Sequence, residues 1–321
     1  MRKKEQQPDS LERSSKDDSL AKRARFSLRA CAAQQKHMKV LCQGSPCNAP
    51  SFFGGAMLIR ELVSLIERIA PPRMAADWDH SGVQVAARAT EISRLAVTLD
   101  PIPETVAQAL DWGAQFILAH HPLAKTPRFP DRLDILHETL RLVLSKGAWL
   151  YAAHTPLDCA PNGPAAWLAE ELGLTRREIL DPCGADPADA YGFGLIGDLP
   201  VAQPIESFLD KIWALVPRSF LTFIGKTPER ARRVAYCTGS GSSLAWRAFA
   251  QGADVYLTGD VTHHTALDIA PLGLTIDCGH QSLEAEMMRR LTDTLAEKTR
   301  DASLEIRFFE SADPLRAALR P

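Results

Sequence analysis

Apolar positions along the chain change period several times, and the changes mark its elements. Leu58, Leu62, Leu65, Ile66 and Ile69 recur at helical spacing from Met57 onward, and Pro71-Pro72 stops the run. Beyond it, short apolar runs alternate with longer amphipathic ones. The runs at 94–99, 115–119, 148–153, 192–198, 220–225, 233–238, 254–258, 273–276 and 303–309 read as strands. Those at 102–113, 131–146, 163–172, 204–215, 242–251, 262–270 and 281–297 read as helices. Such alternation predicts an α/β fold of two similar halves, with mixed, largely parallel sheets. The Pro/Gly/Asp-rich stretch DPCGADPADA at 181–190 is the best internal boundary, dividing a first α/β domain, 57–180, from a second, 181–321.

Residues 1–56 lack this periodicity. They carry 11 Lys/Arg against 5 Asp/Glu and are rich in Ser and Gln. A segment of that kind cannot bury enough surface to offset its ordering entropy, so it reads as a disordered basic extension, or as sequence upstream of a natural start at Met57. It has no apolar core of a secretory signal, and Glu5, Asp9, Glu12, Asp17 and Asp18 argue against a mitochondrial presequence.

With 45% hydrophobic and 24% charged residues, the composition excludes a fibrous or wholly disordered protein. No apolar run approaches the ~18–20 residues that cross a bilayer. The formal net charge of −2 averages a leader of +6 with a remainder of −8. The acidic body offers no broad basic face, so nucleic acid is not an expected partner. Seven cysteines without a CxxC pair fit neither a disulfide framework nor a zinc ribbon; reduced thiols in a cytoplasmic protein are the simplest reading.

The histidines change the picture most. His120 and His121 end the strand QFILA, His154 ends AWLYAA four residues before Asp158, and His263 and His264 follow TGD. His280 follows LTI in IDCGHQSLE, four residues before Glu284, which puts both on one face of a helix. A lone strand-end His is usually a turn residue, and Asp158 alone could be a helix cap. Four strand ends bearing His, His, Asp, His and Glu are harder to dismiss. Imidazoles and carboxylates are ligands for Zn, Fe, Mn or Co. Three His and two carboxylates exceed the needs of one four-coordinate ion. They suit two divalent ions about 3.5–4 Å apart that share a carboxylate and support hydrolysis.

The chain from about 57 to 311 resembles the GTP cyclohydrolase 1 type 2 family, the NIF-three-like dinuclear metal centre hexameric proteins. The resemblance rests on IAPPRMAADWDHSGVQV, LAHHPL, HTPLD, TGSGSS, YLTGDVTHH and IDCGHQSLE, in that order. It implies metal ligands His120, His121, Asp158, His280 and Glu284, with Asp158 or Glu284 as the bridge, and a dinuclear site between the two halves. It also implies a homohexameric ring and a hydrolase whose metal-activated water attacks a nucleotide. Departures such as Pro156, Cys278 and Gln281 spare all five ligands.

His154 and His264 are the expected catalytic residues, placed for proton transfer, with second-shell hydrogen bonding as the competing role. Trp78 and Asp79 read as rim or packing residues, Cys159 and Cys278 as packing. The Gly239–Ser243 turn could hold an anion but is more simply a strand–helix connection; it lacks the Lys of a P-loop. The function classes left open are the cyclohydrolase, a generic phosphoester or nucleotide hydrolase, a mononuclear zinc enzyme, and a non-catalytic metal-binding scaffold or regulatory protein.

Overall fold

The computed structural model describes residues 56–184 and 190–318, which belong to one compact unit, Phe52–Pro321. Of the basic extension expected over 1–56 only Ala56 is among them, and 185–189 of the expected boundary also lie outside the described residues.

In chain order the strands are Met57–Leu58 (β1), Gly82–Val85 (β2), Glu91–Ile92 (β3), Arg94–Thr98 (β4), Phe116–Ala119 (β5), Trp149–Ala152 (β6), Thr175–Pro182 (β7), Gly192–Pro204 (β8), Thr222–Ile224 (β9), Arg230–Tyr236 (β10), Val255–Thr258 (β11), Leu274–Asp277 (β12) and Glu305–Phe309 (β13). Two main sheets result, ordered β13-β4-β5-β6-β2 and β7-β8-β10-β11-β12-β9, beside a small β1-β3 pair. In the first sheet β13, β4, β5 and β6 run parallel and only β2 is antiparallel. In the second, β10, β11 and β12 are parallel, while β7, β8 and β9 pair antiparallel. The architecture is thus two mixed α/β halves, the first more parallel than the second.

Parallel strands are covered on both faces and read as unbroken apolar runs. Phe116–Ala119 and Val255–Thr258 are buried at every position. Each fully buried Leu, Ile, Val or Phe contributes about 1.5–3 kcal/mol relative to exposure. The helices that follow are set by local chemistry. Pro103 opens Pro103–Asp111 at a position where its missing N–H is no loss. The helix expected over 131–146 begins at Ile135, because Asp134 caps it by accepting from His137 N at 3.2 Å; Gly147, at φ +62°, ends it.

The sequence pattern misses β7 because its first four residues are exposed and show no alternation. It shortens β8, which runs on to Pro204 along β10. Sheet membership also departs from a division at 180/181: β7 begins at Thr175 and pairs within the second sheet, whereas β13 returns to the first. No helix among the described residues is long and apolar enough to cross a membrane.

The candidate metal centre

The chemistry-bearing residues follow the carboxyl ends of the parallel strands, where open α/β sheets gather ligands. Asp100 follows β4, His120 and His121 follow β5, and His154 and Asp158 follow β6. Thr238 and Gly239 follow β10, Asp260 follows β11, and His280 and Glu284 open the helix His280–Lys298 after β12. That helix buries Leu283, Met287, Met288 and Leu291, which carries Glu284 inward with them. The indole Nε1 of Trp167 donates to Leu283 O at 3.2 Å beside it.

All five expected ligands meet. Glu284 lies at the middle with a side chain only 4% exposed. Its Oε1 faces His120 Nε2 at 3.5 Å, and its Oε2 faces His121 Nε2 at 3.1 Å and His280 Nε2 at 2.8 Å. Asp158 Oδ2 is 3.6 Å from His120 Nε2. Three overlapping groups have donor atoms close enough to share an ion: His120, Asp158 and Glu284; His121, His280 and Glu284; and His120, His121 and His154.

Each imidazole is aimed from behind. His120 Nδ1 pairs with Ala153 O at 2.9 Å, His121 Nδ1 with Asp100 Oδ1 at 2.7 Å, His154 Nδ1 with Asp79 Oδ1 at 2.8 Å, and His280 Nδ1 with Asp260 Oδ2 at 2.6 Å. With Nδ1 so engaged, every ring turns Nε2 to the centre, as metal-ligating histidines held by an outer carboxylate or carbonyl do. Thr238 Oγ1 donates to Asp158 Oδ1 at 3.1 Å. Gly239, at φ +62°, leaves the room that Glu284 Oε1 takes. Asp260 adopts φ +57°, a left-handed conformation that Asp tolerates better than most residues.

The electrostatics are those of a cation cavity. Burial pulls His121 down, but the Glu284 charge and the hydrogen bonds to Asp100 and Glu284 prevail and raise it to about 10. Burial likewise opposes His280, and its bonds to Asp260 and Glu284 raise it to about 11. His120 is raised against its burial by the Asp158 and Glu284 charges. Burial resists ionisation of Glu284, yet the surrounding imidazoles hold it well below the ordinary range. Burial raises Asp158. Two buried atoms of the cluster, His120 Nε2 and Glu284 Oε2, find only close approaches to their neighbours and no well-aligned hydrogen bond among the described residues. His121 Nε2 and His280 Nε2 confront each other at 3.3 Å. Ring nitrogens converging on one carboxylate, with polar atoms left over, fit positive ions in place of protons.

The other expected residues fall as follows. His154 joins the cluster through the third group. His264 lies exposed at the start of the helix His263–Ile269, its ring 5.6 Å from that of His263, and neither belongs to the three groups. Cys159 and Cys278 are buried free thiols, both raised by burial and therefore neutral. In the Gly-Ser turn the Gly241 N–H is already taken by Thr258 Oγ1 at 2.9 Å. An open crevice of about 530 Å³ lined by Ser93, Arg94, Gly113 and Glu305 lies at the opposite ends of the strands. Its Arg94 is spent on Glu305 and Trp112 O.

The orienting carboxylates Asp79, Asp100 and Asp260 escape a search for ligands. Their one sequence signal is position: Asp100 and Asp260 close strands of the set that carries the histidines, and Asp79 adjoins His80 in DWDHSG. Ser311 adds a further link, donating to Asp100 Oδ2 at 2.8 Å while its carbonyl accepts from Gln281 Nε2 at 3.0 Å.

Fold and site together define a two-halved α/β protein with a histidine–carboxylate cluster, able to hold metal ions, where the strands of both sheets end. The chain belongs to the Duf34/NIF3 (NGG1p interacting factor 3) family, whose model matches residues 57–314. Among its relatives, a GTP cyclohydrolase 1 type 2 homolog of Lactococcus lactis is 30% identical over 262 residues, covering 80% of this chain and 97% of that one. A protein of the same description from Clostridium perfringens is 28% identical over 261 residues, covering 80% and 98%. The Bacillus cereus protein related to NIF3 superposes with a TM-score of 0.75 at 23% identity, over 83% of this chain and all of that one. Reduced HcgD from Methanocaldococcus jannaschii gives 0.69 at 28% identity, over 79% and 98%.

Proposed function

We propose that the cluster is a dinuclear metal centre and that the protein is a metal-dependent hydrolase of the GTP cyclohydrolase type 2 kind, acting on a nucleotide. The observation that carries this reading is the division of Glu284: Oε1 faces His120 and Oε2 faces His121 and His280. His120, Asp158 and Glu284 would hold one ion, and His121, His280 and Glu284 the other, with Glu284 as the bridge. Zn, Fe, Mn and Co all suit this donor set. Two such ions supply Lewis acidity and a water-derived nucleophile at neutral pH. Asp79 fixes His154 through Nδ1, which leaves Nε2 to take up or return a proton at the centre. His264, exposed at the start of the helix His263–Ile269, serves as a second proton carrier in this reading.

The names of the bacterial relatives support the nucleotide. A homohexamer in the cytoplasm completes the reading. Elemental analysis of purified protein should find about two ions per chain, and a nucleotide panel should show turnover that His121→Ala abolishes together with the metal. About one ion per chain would favour a mononuclear site. Full metal loading without turnover on the panel would leave a scaffold.

A further inference from the structure

Trp78 is 56% exposed beside a cluster in which His120 and Glu284 are buried and His121, Asp158 and His280 partly so. Its indole meets the His154 ring edge-on, centroids 5.6 Å apart and planes at 73°. The His154 ring is in turn 5.1 Å from that of His120 and 5.5 Å from that of His121. Trp78 therefore stands one ring outside the candidate metal centre.

The indole is held on a rigid turn. Asp79 N donates to Ala76 O at 2.9 Å and closes the turn that contains Trp78. The Asp79 carboxylate, wholly buried, accepts from His80 N at 2.7 Å, Ser81 Oγ at 2.6 Å, Thr155 N at 3.2 Å and Thr155 Oγ1 at 2.5 Å, besides His154. Thr155 Oγ1 also receives Ala76 N at 3.0 Å. A side chain carried this way loses little freedom when something packs on it, so the ordering cost of binding is largely met beforehand.

Charge narrows what that something is. Among the described residues, the charged groups that touch the cluster imidazoles are all carboxylates: Asp79, Asp100, Asp158, Asp260 and Glu284. Beside these carboxylates Trp78 offers an organic ligand an aromatic face. A planar heteroaromatic ring is the ligand chemistry that such a face recognises.

We infer that Trp78 is the stacking platform for the substrate's planar base, with purine nucleotides as the class that fits. The inference rests on the nucleotide reading above and adds the side chain that selects the base. It assigns Trp78 to binding, with the proton and metal chemistry left to the histidines and carboxylates.

The test uses the metal-loaded full chain with GMP, guanosine and ribose 5-phosphate as probes. Intrinsic fluorescence should be quenched by GMP and guanosine and not by ribose 5-phosphate. Trp78→Phe should remove the quenching while calorimetry still finds GMP bound; Trp246→Phe, which alters another exposed indole, should keep it. Trp78→Ala and the apolar, non-aromatic Trp78→Leu should weaken GMP roughly 5- to 150-fold, the range for one base–aromatic stack, at unchanged metal content. Unchanged GMP affinity in both variants would overturn the inference, as would quenching that survives Trp78→Phe, or a wild-type chain that binds neither GMP nor guanosine. Unchanged affinity accompanied by altered sedimentation would overturn it too and assign the indole to a second copy of the chain. GMP binding through Trp78 without turnover of any nucleotide would sink the hydrolase reading and leave this one standing.

Discussion

Gly239 leaves open the space that Oε1 of Glu284 occupies: a Cβ there would collide with the carboxylate, and the glycine's φ of +62° is costly for any other residue. The turn after β10 thus lets Glu284 reach the centre of the cluster. We expect Gly239→Ala to lose metal and to lower stability by more than the roughly 1–2 kcal/mol of left-handed strain, since the buried carboxylate must also move. Metal content and thermal melting, compared with Ser240→Ala on the exposed neighbouring position, would show it. A fully loaded Gly239→Ala protein would contradict this account.

Asp100 and Asp260 aim His121 and His280 from behind, through Nδ1, and belong to none of the three groups that could hold an ion. Asp100→Asn and Asp260→Asn should each weaken metal binding about 10- to 100-fold, as loss of an outer hydrogen-bond partner does elsewhere. Ser311→Ala should act in the same direction and less, because Asp100 keeps His121. Chelator competition measures all three. Affinities equal to wild type would make these contacts incidental.

Protons and metal compete for one set of nitrogens. With His121 raised to about 10 and His280 to about 11, both rings are charged at neutral pH until an ion replaces the proton. Metal binding should therefore release protons at pH 7, and apparent affinity should rise with pH across the neutral range. The linked stability has a definite sign. A raised histidine stabilises the fold fully below its unfolded value of about 6.5, and that contribution fades as pH rises through about 10 and 11. Calorimetry in two buffers of different ionisation enthalpy counts the protons; no release would refute the sign.

Tyr236, at the end of β10, donates to Ala165 O at 2.8 Å and ties the second sheet to the turn that precedes Trp167. Both groups are buried. Tyr236→Phe should cost about 1–3 kcal/mol, the penalty for a buried carbonyl left unpaired. Denaturant titration checks it, and metal content should change little because no ligand is touched.

The elements that could be found in the chain are those whose signal is local. Leu95–Thr98, Phe116–Ala119 and Val255–Thr258 are buried throughout and apolar but for the closing threonines Thr98 and Thr258, because parallel strands are buried on both faces, so their composition alone marks them. β7 carries no such mark, since Thr175–Glu178 face solvent and the strand exists through its pairing with β8. The final strand joins β4 across some two hundred residues, a partnership that no neighbouring residue announces.

The site divides in the same way. Donor types and their strand-end positions are covalent facts of the chain: His120 and His121 follow an apolar run directly, and Glu284 stands one helical turn after His280. Those facts marked the five candidate ligands and raised the expectation of two ions, and they left Asp158 and Glu284 as equal claimants to the bridge. Tertiary packing placed Glu284 in the middle, because the buried face of the helix His280–Lys298 carries it to where both sheets end. Packing also recruited Asp79, Asp100 and Asp260, whose histidine partners lie 75, 21 and 20 positions away. A hydrogen bond depends on distance in space, and spacing along the chain reports that distance only within one helix turn or one strand.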